Sequence, residues 1–544
     1  MFILGIGGFY HDYNCCLIDL KNKLITMIEA ERLSRRKHHV IQNDEDILAP
    51  IRKCCKNLGC RLRDIDTVLF AHTDDFDAKD LIKRNLSVKN FHDIDHHLSH
   101  AASAFFSSPY ETSAVVSIDG FGDGSSGLIC KGEANKLEVL ERVSEENSIG
   151  LEYLRATVHL GLGGYGCEGK TQGLSAYGDP TLFDAYMNEI KINPNGNITL
   201  SEKLRNTGSF LAEQGGYLNT QLLTNSFLND YCPRRIVPEP ITQTHMNLAA
   251  SVQKMLEYVC MDISLVARKR TSSSNLVLTG GVAMNSSMNG FLLDSGKFDN
   301  IFALPMSSDR GTGLGAALYH VHNNLDEPRF FNMDNVFYGG EYDDKRSIRA
   351  LKKAGLRFTK NTDTIELAAK SLSESKIVAW YQDKSEMGAR ALGHRSILAD
   401  PRIAEMKDII NKRVKHREWF RPFAPSVLEE RSSEFFVHNN KIADLSYMTF
   451  TVQANKHAQQ IIPATIHIDG SSRIQTVDHE RNSTYSDLIK RFDELTGVPV
   501  ILNTSFNDNG QPIVETPEDA VKTFLNQDID VLCMGNTVGW KGNT

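Results

Sequence analysis

MFILGIGGFYHDYNCCLIDL, residues 1–20, runs from an apolar segment into Gly7-Gly8, through a polar turn and into a second apolar run, CCLIDL. The pattern predicts strand, glycine turn, strand, with backbone N–H groups exposed at the turn for a ligand to approach. It recurs about a hundred residues on. Ser113 to Ile118 is apolar, Asp119-Gly120-Phe121-Gly122-Asp123-Gly124 turns, and Ser126 to Cys130 is apolar again. Two such units predict a duplicated α/β fold in which each hairpin starts one half.

In the actin-like and sugar-kinase-like class, paired hairpins of this kind face each other across a cleft holding a nucleotide or a metal. Between the hairpins lies HHLSHAASAF, residues 96–105, predicted as a helix that stacks His96 and His100 one turn apart. A helical histidine pair alone is either an ordinary structural pair or half of a metal site. Two further donors sit at suitable places: Asp119 at the end of the second unit's first strand, and Asp309, in PMSSDRGTGLGAAL, where a helix opens. An aspartate at a helix start is otherwise an N-cap. Two imidazoles and two carboxylates suit Fe(II), Zn(II) or Mn(II).

Composition sets the class. The chain has 544 residues, too many for one core, with 41% hydrophobic and 24% charged residues and a net charge of −8, which argues against nonspecific nucleic-acid or anionic-membrane binding. No apolar run reaches the length of a membrane span, the start reads as a buried strand and not a signal peptide, and ten cysteines without a Cys-x-x-Cys pair suggest reduced thiols in the cytoplasm.

Other stretches carry less decisive signals. EAERLSRRKHH, with Arg32, Arg35, Arg36 and Lys37, reads either as a solvated helix end and loop or as a phosphate contact. The glycine-rich stretch from Gly161 to Gly178 reads as a loop lining a site, and residues 181–240 as a partly helical insertion. Asn247 to Arg270 has helical apolar spacing, and the strand Asn275 to Thr279 leads into the turn Gly280-Gly281 and Asn285.

A second domain is expected beyond Gly339-Gly340-Glu341, dividing the chain into 1–350 and 351–544. It holds the densest cationic stretch: Arg390 between glycines in GARALGHRSILADPR, then Lys412, Arg413, Lys415, Arg417 and Arg421, and later Arg473 in a strand-like Ser471 to Val477. Lys412 to Arg417 fits a solvated helix face. The others suit a site for phosphates, which a guanidinium binds with two parallel hydrogen bonds. Val498 to Leu502 reads as a buried strand delivering Asn503 and Ser505 at its carboxyl end. Thr516-Pro517-Glu518-Asp519 reads as a capping box, and Ile529 to Met534 as the last strand.

The chain resembles the O-carbamoyltransferases of the NodU/CmcH/TobZ family. GIGGFYHDYNCCLI, HHLSHAASAF, SIDGFGD, EGKTQGLSAYG, LTGGVAMN and PMSSDRGTGLGAAL are similar to its N-terminal half, an actin-like, Kae-type duplicated α/β domain. GARALGHRSILADPR, VKHREWFRPFAPSVL, HIDGSSRIQTV and VPVILNTSFNDNGQPIVETPEDA are similar to its C-terminal, YrdC-like α/β domain. The resemblance implies His96, His100, Asp119 and Asp309 as ligands of a divalent metal, iron(II) with zinc or manganese as alternatives, and His11 as a general base near the transfer centre. It implies Gly169, Lys170, Gly280, Gly281 and Asn285 in adenylate-binding loops. Arg390, Lys415, Arg421, Arg473, Asn503 and Ser505 are then the contacts of carbamoyl phosphate and of ATP, which enters with magnesium.

The implied chemistry runs through carbamoyladenylate, formed in the second domain and used in the first to carbamoylate a hydroxyl of a small-molecule, natural-product acceptor. No nucleic acid or membrane partner is implied, and a homodimer is left open. Two departures stand beside Arg390, where the family usually has Pro at Ala389 and Asn at His394. The alternatives are a tRNA threonylcarbamoyl-type enzyme and a non-catalytic ATP-binding scaffold of actin-like fold. Hydrogenase-maturation relatives carry zinc Cys-x-x-Cys pairs and the opposite domain order, and neither feature occurs here.

Overall fold

The computed structural model describes residues 1–71, 76–88, 90–205, 225–439 and 442–541. The chain forms two compact units. The first comprises Met1–Thr26 and His38–Met333, to which Ile442 and Ala443 return beside Ile301; the second comprises Met27–Lys37, Asp334–Asn440 and Asp444–Thr544.

The first unit contains the same sheet twice. In one half β1 (Phe2–Gly7), β2 (Asn14–Asp19), β3 (Leu24–Glu29, of which Leu24–Thr26 belong to this unit), β4 (Ile65–Ala71) and β5 (Asn90–Ile94) lie in the order β3-β2-β1-β4-β5. In the other, β6 (Thr112–Gly122), β7 (Ser125–Glu133), β8 (Lys136–Ser144), β11 (Asn275–Thr279) and β12 (Asn300–Ala303) lie in the order β12-β11-β6-β7-β8. Reversing that order gives the first pattern strand for strand. In both halves the first strand pairs antiparallel with the second and parallel with the fourth, and the fourth pairs parallel with the fifth. Parallel pairing needs a crossover, supplied by the helices Asp44–Leu58 and Gln243–Thr271. The apolar run that opens the chain has the burial such a central strand requires, with Ile3, Leu4 and Ile6 inaccessible to solvent.

This repetition places the candidate site. The turn between the first two strands carries His11 in one half, while Asp119 lies at the bulged end of β6 in the other. The fifth strand leads into the helix His96–Phe105 in one half and, through the 3-10 turn Asp309–Gly311, into the helix Thr312–Tyr319 in the other. Equivalent corners of a duplicated fold therefore deliver all the donors.

One expectation for this unit is corrected. The glycine-rich stretch is not loop throughout: Glu168–Ser175 is helical, with Thr171, Gly173 and Leu174 buried against the long Gln243–Thr271 helix. Packing of that face outweighs the weak helix propensity of glycine. Within 181–240, residues 206–224 lie outside the described residues. The described part holds a helix (Phe183–Asn188), the antiparallel pair β9 (Ile190–Ile192) and β10 (Ile198–Leu200), and a helix (Ser226–Tyr231).

Glu152, fully buried on the helix Ile149–His159, accepts hydrogen bonds from Asn225 (2.7 Å), Tyr186 (3.3 Å) and Arg155 (3.4 Å). Burial pushes its carboxyl up to about 7 against the opposing pull of Arg155. Because the folded protein holds this proton more tightly than the unfolded chain, the group's contribution to stability is full at low pH. It is lost as pH rises from the ordinary glutamate value through about 7. Glu152→Gln should therefore melt like the native protein near pH 5 and above it near pH 8, by thermal denaturation at both values. Parallel melting curves across that range would contradict the assignment.

The second unit is built on an eight-stranded mixed sheet of β13 (Arg357–Lys360), β14 (Val378–Tyr381), β15 (Arg395–Ala399), β16 (Ala424–Leu428), β20 (Gln475–Val477), β21 (Val500–Ser505), β22 (Val531–Met534) and β23 (Thr537–Trp540), in the order β13-β23-β22-β14-β15-β21-β16-β20. A three-stranded sheet of β17 (Phe436–Val437), β18 (Val452–Ala454) and β19 (Ser471–Ser472) accompanies it. Alternation along the strands builds two cores. Val378, Trp380 and Leu398 face Leu372, Leu488 and Phe492, whereas Ala379, Tyr381, Ile397 and Ala399 face Leu351, Val521 and Phe524.

Thr516 caps the helix Pro517–Asn526 through a capping box with Asp519. Ile529 to Met534 is not the last strand, since β23 follows it. Ser471 to Val477 is broken into β19 and β20, with Arg473 at the break. The Lys412 to Arg417 stretch is solvated only in part, since Lys412 and Arg413 are exposed but Lys415 is buried. Nor are residues 29–32 a solvated helix end: Glu29, Glu31 and Arg32 are all buried.

Candidate functional site

The helix His96–Phe105 is capped by Asp95, whose carboxylate accepts the Leu98 N–H at 2.9 Å. Its first two turns present His96 and His100 with their Nε2 atoms 3.1 Å apart. Asp119 is aimed at them by its surroundings. Its Oδ1 accepts the backbone N–H groups of Gly120 (2.8 Å) and Gly281 (3.1 Å), leaving Oδ2 at 2.9 Å from His100 and 3.4 Å from His96. Gly281 must be glycine for this, because a Cβ there would come within 2.6 Å of Asp119 Oδ1.

Asp309 is not spent as a helix cap: the Thr312–Tyr319 helix has no side-chain cap, and the Asp309 carboxylate turns to His100 (3.4 Å), His96 (3.7 Å) and His11 (3.7 Å). Asn14 fixes its backbone, donating to the Asp309 carbonyl at 2.7 Å and accepting the Gly313 N–H at 3.0 Å.

One donor atom from each of His96, His100, Asp119 and Asp309 can be chosen so that all lie within 4.8 Å of one another. Burial opposes charge on His100, but Asp119 and Asp309 outweigh it and push the imidazole up to about 9. Both carboxylates are held below the usual range by the histidines, against burial. Two half-buried carboxylates and two converging imidazole nitrogens form a donor set that calls for a cation. They fit a divalent first-row metal with coordination positions to spare.

His11 is buried beside this set, packed against Tyr165 at 4.1 Å between ring centroids with the rings tilted by 35°. Burial favours its neutral form, but Asp309, Asp12 and Asp119 raise its proton affinity above the ordinary histidine value. The adjacent Asp12 is ion-paired with Arg310 (2.8 Å) and contacts His38 (3.0 Å) and the Tyr165 hydroxyl (3.0 Å). Sequence reasoning singled out none of these four. Asp12 and Arg310 each neighbour a residue that was chosen, but their pairing spans 298 positions and becomes visible only when the two halves fold together.

The halves meet closely at the helices His96–Phe105 and Thr312–Tyr319, where a Cβ on Gly315 would lie 1.7 Å from the Ser99 carbonyl oxygen. Gly315→Ala should therefore force apart the helices that carry the histidines and follow Asp309. A loss of about 1–3 kcal/mol in stability is expected, with a lower metal content after purification. Denaturant melts and metal analysis would check it, and a variant matching the native protein in both would contradict the packing described.

The second unit gathers positive charge. The buried Lys415 Nζ donates to the carbonyls of Ser505 (2.6 Å) and Asn507 (3.0 Å) and to Asn507 Oδ1 (2.6 Å). Burial and the guanidinium groups of Arg417 and Arg421 hold this ammonium well below the lysine range. Arg417 is likewise depressed by burial and Arg421, and it lies 4.3 Å from the centre of the Phe423 ring. Arg473 is pushed down to about 10 by burial, Arg417 and Arg421. These cations disfavour one another, and an anion among them would relieve the repulsion.

Asn503 is engaged within the protein. Buried on β21, its amide donates to the Ala391 carbonyl, Ser426 Oγ and Gln475 Oε1, each at 3.1 Å, which ties the turn beside Arg390 to the sheet. His394 donates from Nδ1 to the Lys384 carbonyl at 2.6 Å and stacks on Phe337 at 3.5 Å. The departure from asparagine therefore still makes a backbone hydrogen bond. Nothing in the structure explains Ala389.

A family model described as Carbamoyltransferase N-terminus matches residues 2–86 and 77–318, and one described as Carbamoyltransferase C-terminus matches residues 369–541. The chain belongs to the NodU-type O-carbamoyltransferase family. Nodulation protein NolNO of Sinorhizobium fredii is 35% identical over 565 residues, covering 97% of this chain and 78% of that protein. Nodulation protein NolO of Bradyrhizobium diazoefficiens is 39% identical over 447 residues, covering 81% of this chain and 78% of its own. Among solved structures, full-length HypF in a phosphate- and nucleotide-bound form has 16% identity and a TM-score of 0.35, over 61% of this chain and 56% of that one. That likeness is too slight to carry weight.

In this carbamoyltransferase the remaining expected residues divide. Gln172 donates to Ser286 Oγ (2.9 Å) and Ser287 Oγ (3.0 Å), which brings the helix bearing Gly169 and Lys170 beside the Gly280-Gly281 turn. Asn285 is used structurally, capping the helix Ser286–Asp294 at Met288 N (2.9 Å) and donating to Gln253 at 2.8 Å. No helix among the described residues is long and apolar enough to cross a membrane.

Proposed function

We propose that this carbamoyltransferase uses ATP and carbamoyl phosphate to carbamoylate a hydroxyl group of a small molecule, through carbamoyladenylate. The observation that carries the proposal is that each unit holds its own charge pattern: a converging His/Asp donor set in the first, a mutually repelling cation cluster in the second. The division into 1–350 and 351–544 is proposed as the division of labour, except that Met27–Lys37 and residues 334–350 go with the second unit.

In the second site, water opens carbamoyl phosphate to carbamate and phosphate. A carbamate oxygen then attacks the α-phosphorus of ATP, pyrophosphate leaves, and carbamoyladenylate is formed. Arg390, Lys415, Arg421 and Arg473 bind the phosphate oxygens and stabilise the charge that builds on them, with Arg417 adding to the field. Ser505 and Asn503 hold the strand end and the Arg390 turn that frame them.

In the first site, His96, His100, Asp119 and Asp309 would hold a divalent metal, proposed as iron(II), which when bound supplies Lewis acidity toward the carbamoyl group. His11 accepts the acceptor hydroxyl's proton, the alkoxide oxygen attacks the carbamoyl carbon, and AMP leaves with the C–O bond electrons. Asp12 and Tyr165 fix the imidazole for this step. Gly169, Lys170 and Gly280 are proposed to border the adenylate, with Gly281, whose N–H is held by Asp119, shaping the turn.

Family membership removes the scaffold alternative. The test of the proposal is product analysis by phosphorus NMR: carbamoyl phosphate and ATP together should yield phosphate and pyrophosphate, and neither substrate alone should yield pyrophosphate. Release of ADP in place of pyrophosphate would overturn it.

A further inference from the structure

A short segment from the start of the chain, Met27–Lys37, belongs to the second unit, although it precedes the metal-site histidines in sequence. Its helix, Ala30–Ser34, is preceded by Glu29, which is 1% exposed and ion-paired with Arg32, 3% exposed, at 3.2 Å. Such a buried pair is a poor way to gain stability, because desolvation offsets the attraction unless the remaining polar atoms find partners. Here two of those partners come from a single residue. Glu29 Oε1 accepts the Gly388 N–H at 2.5 Å and Arg32 Nη2 donates to the Gly388 carbonyl at 2.7 Å.

Gly388 stands two residues before Arg390, with φ of +90°. The other side of the turn is held as firmly: Glu386 Oε1 accepts the N–H groups of Leu392 (2.9 Å) and Arg395 (3.1 Å), and Asn503 holds the Ala391 carbonyl. Arg35 extends the same segment's grip to the chain after β21, donating to the carbonyls of Ile513 (2.5 Å) and Pro512 (2.8 Å).

We propose that Glu29 and Arg32 are positioning residues for the anion site of the second unit, their ion pair fixing Gly388 and hence the turn that presents Arg390. This rests on the proposed role of that site in binding carbamoyl phosphate and ATP. It means that adenylate formation depends on residues encoded in the first thirty-odd positions, outside the matched C-terminal region 369–541. An apolar pair could anchor the segment equally well but could not orient both polar groups of one peptide residue.

The test uses the full-length chain with Arg32→Lys and Glu29→Gln, and Arg421→Ala beside them. Pyrophosphate release dependent on carbamoyl phosphate is measured with its KM for both substrates and its kcat, together with the melting midpoint and metal content. Arg32→Lys keeps the charge but has one donor centre where two are needed. It should raise KM about tenfold and change kcat less than about twofold, with metal content native; Glu29→Gln should follow it in KM and also melt lower, because Arg32 is then buried without its carboxylate. Native KM in both variants, or a loss confined to kcat and melting midpoint, would overturn the positioning role. Should Arg421→Ala release pyrophosphate normally, the anion-site reading itself fails, and this proposal with it; loss in Arg421→Ala beside native Arg32→Lys defeats the positioning role alone.

Discussion

Asp309→Ala should abolish transfer to the acceptor, by about a thousandfold or more, while pyrophosphate release from carbamoyl phosphate and ATP stays within about twofold of native. The reason is geometric. The Asp309 carboxylate faces His100, His96 and His11 together, so its loss removes one of four donors and the charge that helps hold His11 protonatable. These partners, with Asn14 at its backbone, all belong to the first unit. Metal content should fall in the same variant, and His96→Ala should behave alike. Equal loss of both half-reactions, measured with and without acceptor, would contradict separate sites.

Arg421→Ala should have the converse effect, with pyrophosphate release reduced about a thousandfold and metal content unchanged. Arg421 lowers the proton affinity of Lys415, Arg417 and Arg473 alike, so its charge adds to the field of all three. Its removal takes away a guanidinium from the place where negative charge would gather. It should also relieve the repulsion on its neighbours, so stability should hold or rise even as activity disappears. Arg421→Lys should recover only part of the rate, because an ammonium lacks the planar two-pronged contact. Normal pyrophosphate release by Arg421→Ala would contradict the site.

The duplicated fold was readable because each half begins with the same signal, an apolar run breaking at glycine beside a charged residue, as at Gly7 to Asp12 and Asp119 to Gly124. The four metal-type donors were readable for a related reason: each sits at a corner the fold must make. Local pattern failed where distant partners decide the outcome. Arg32 looks like a solvated cation until Glu29 and Gly388 enclose it, and Lys415 looks like part of an exposed helical face until Ser505 and Asn507 surround it. Helicity at Glu168–Ser175 was hidden by its glycines, and the Asp12–Arg310 pair by sequence distance. Asn503 was chosen for a polar side chain at a strand end, yet the structure spends its amide on the protein itself.

The most direct test is to trap the intermediate. Asp309→Ala protein, incubated with ATP and carbamoyl phosphate labelled in its carbonyl carbon, then quenched and chromatographed, should show label carried on AMP. The native enzyme with acceptor should pass that label to the acceptor. If label reaches the acceptor with no AMP formed, or never becomes attached to AMP in the variant while pyrophosphate is released, carbamoyladenylate does not link the two sites.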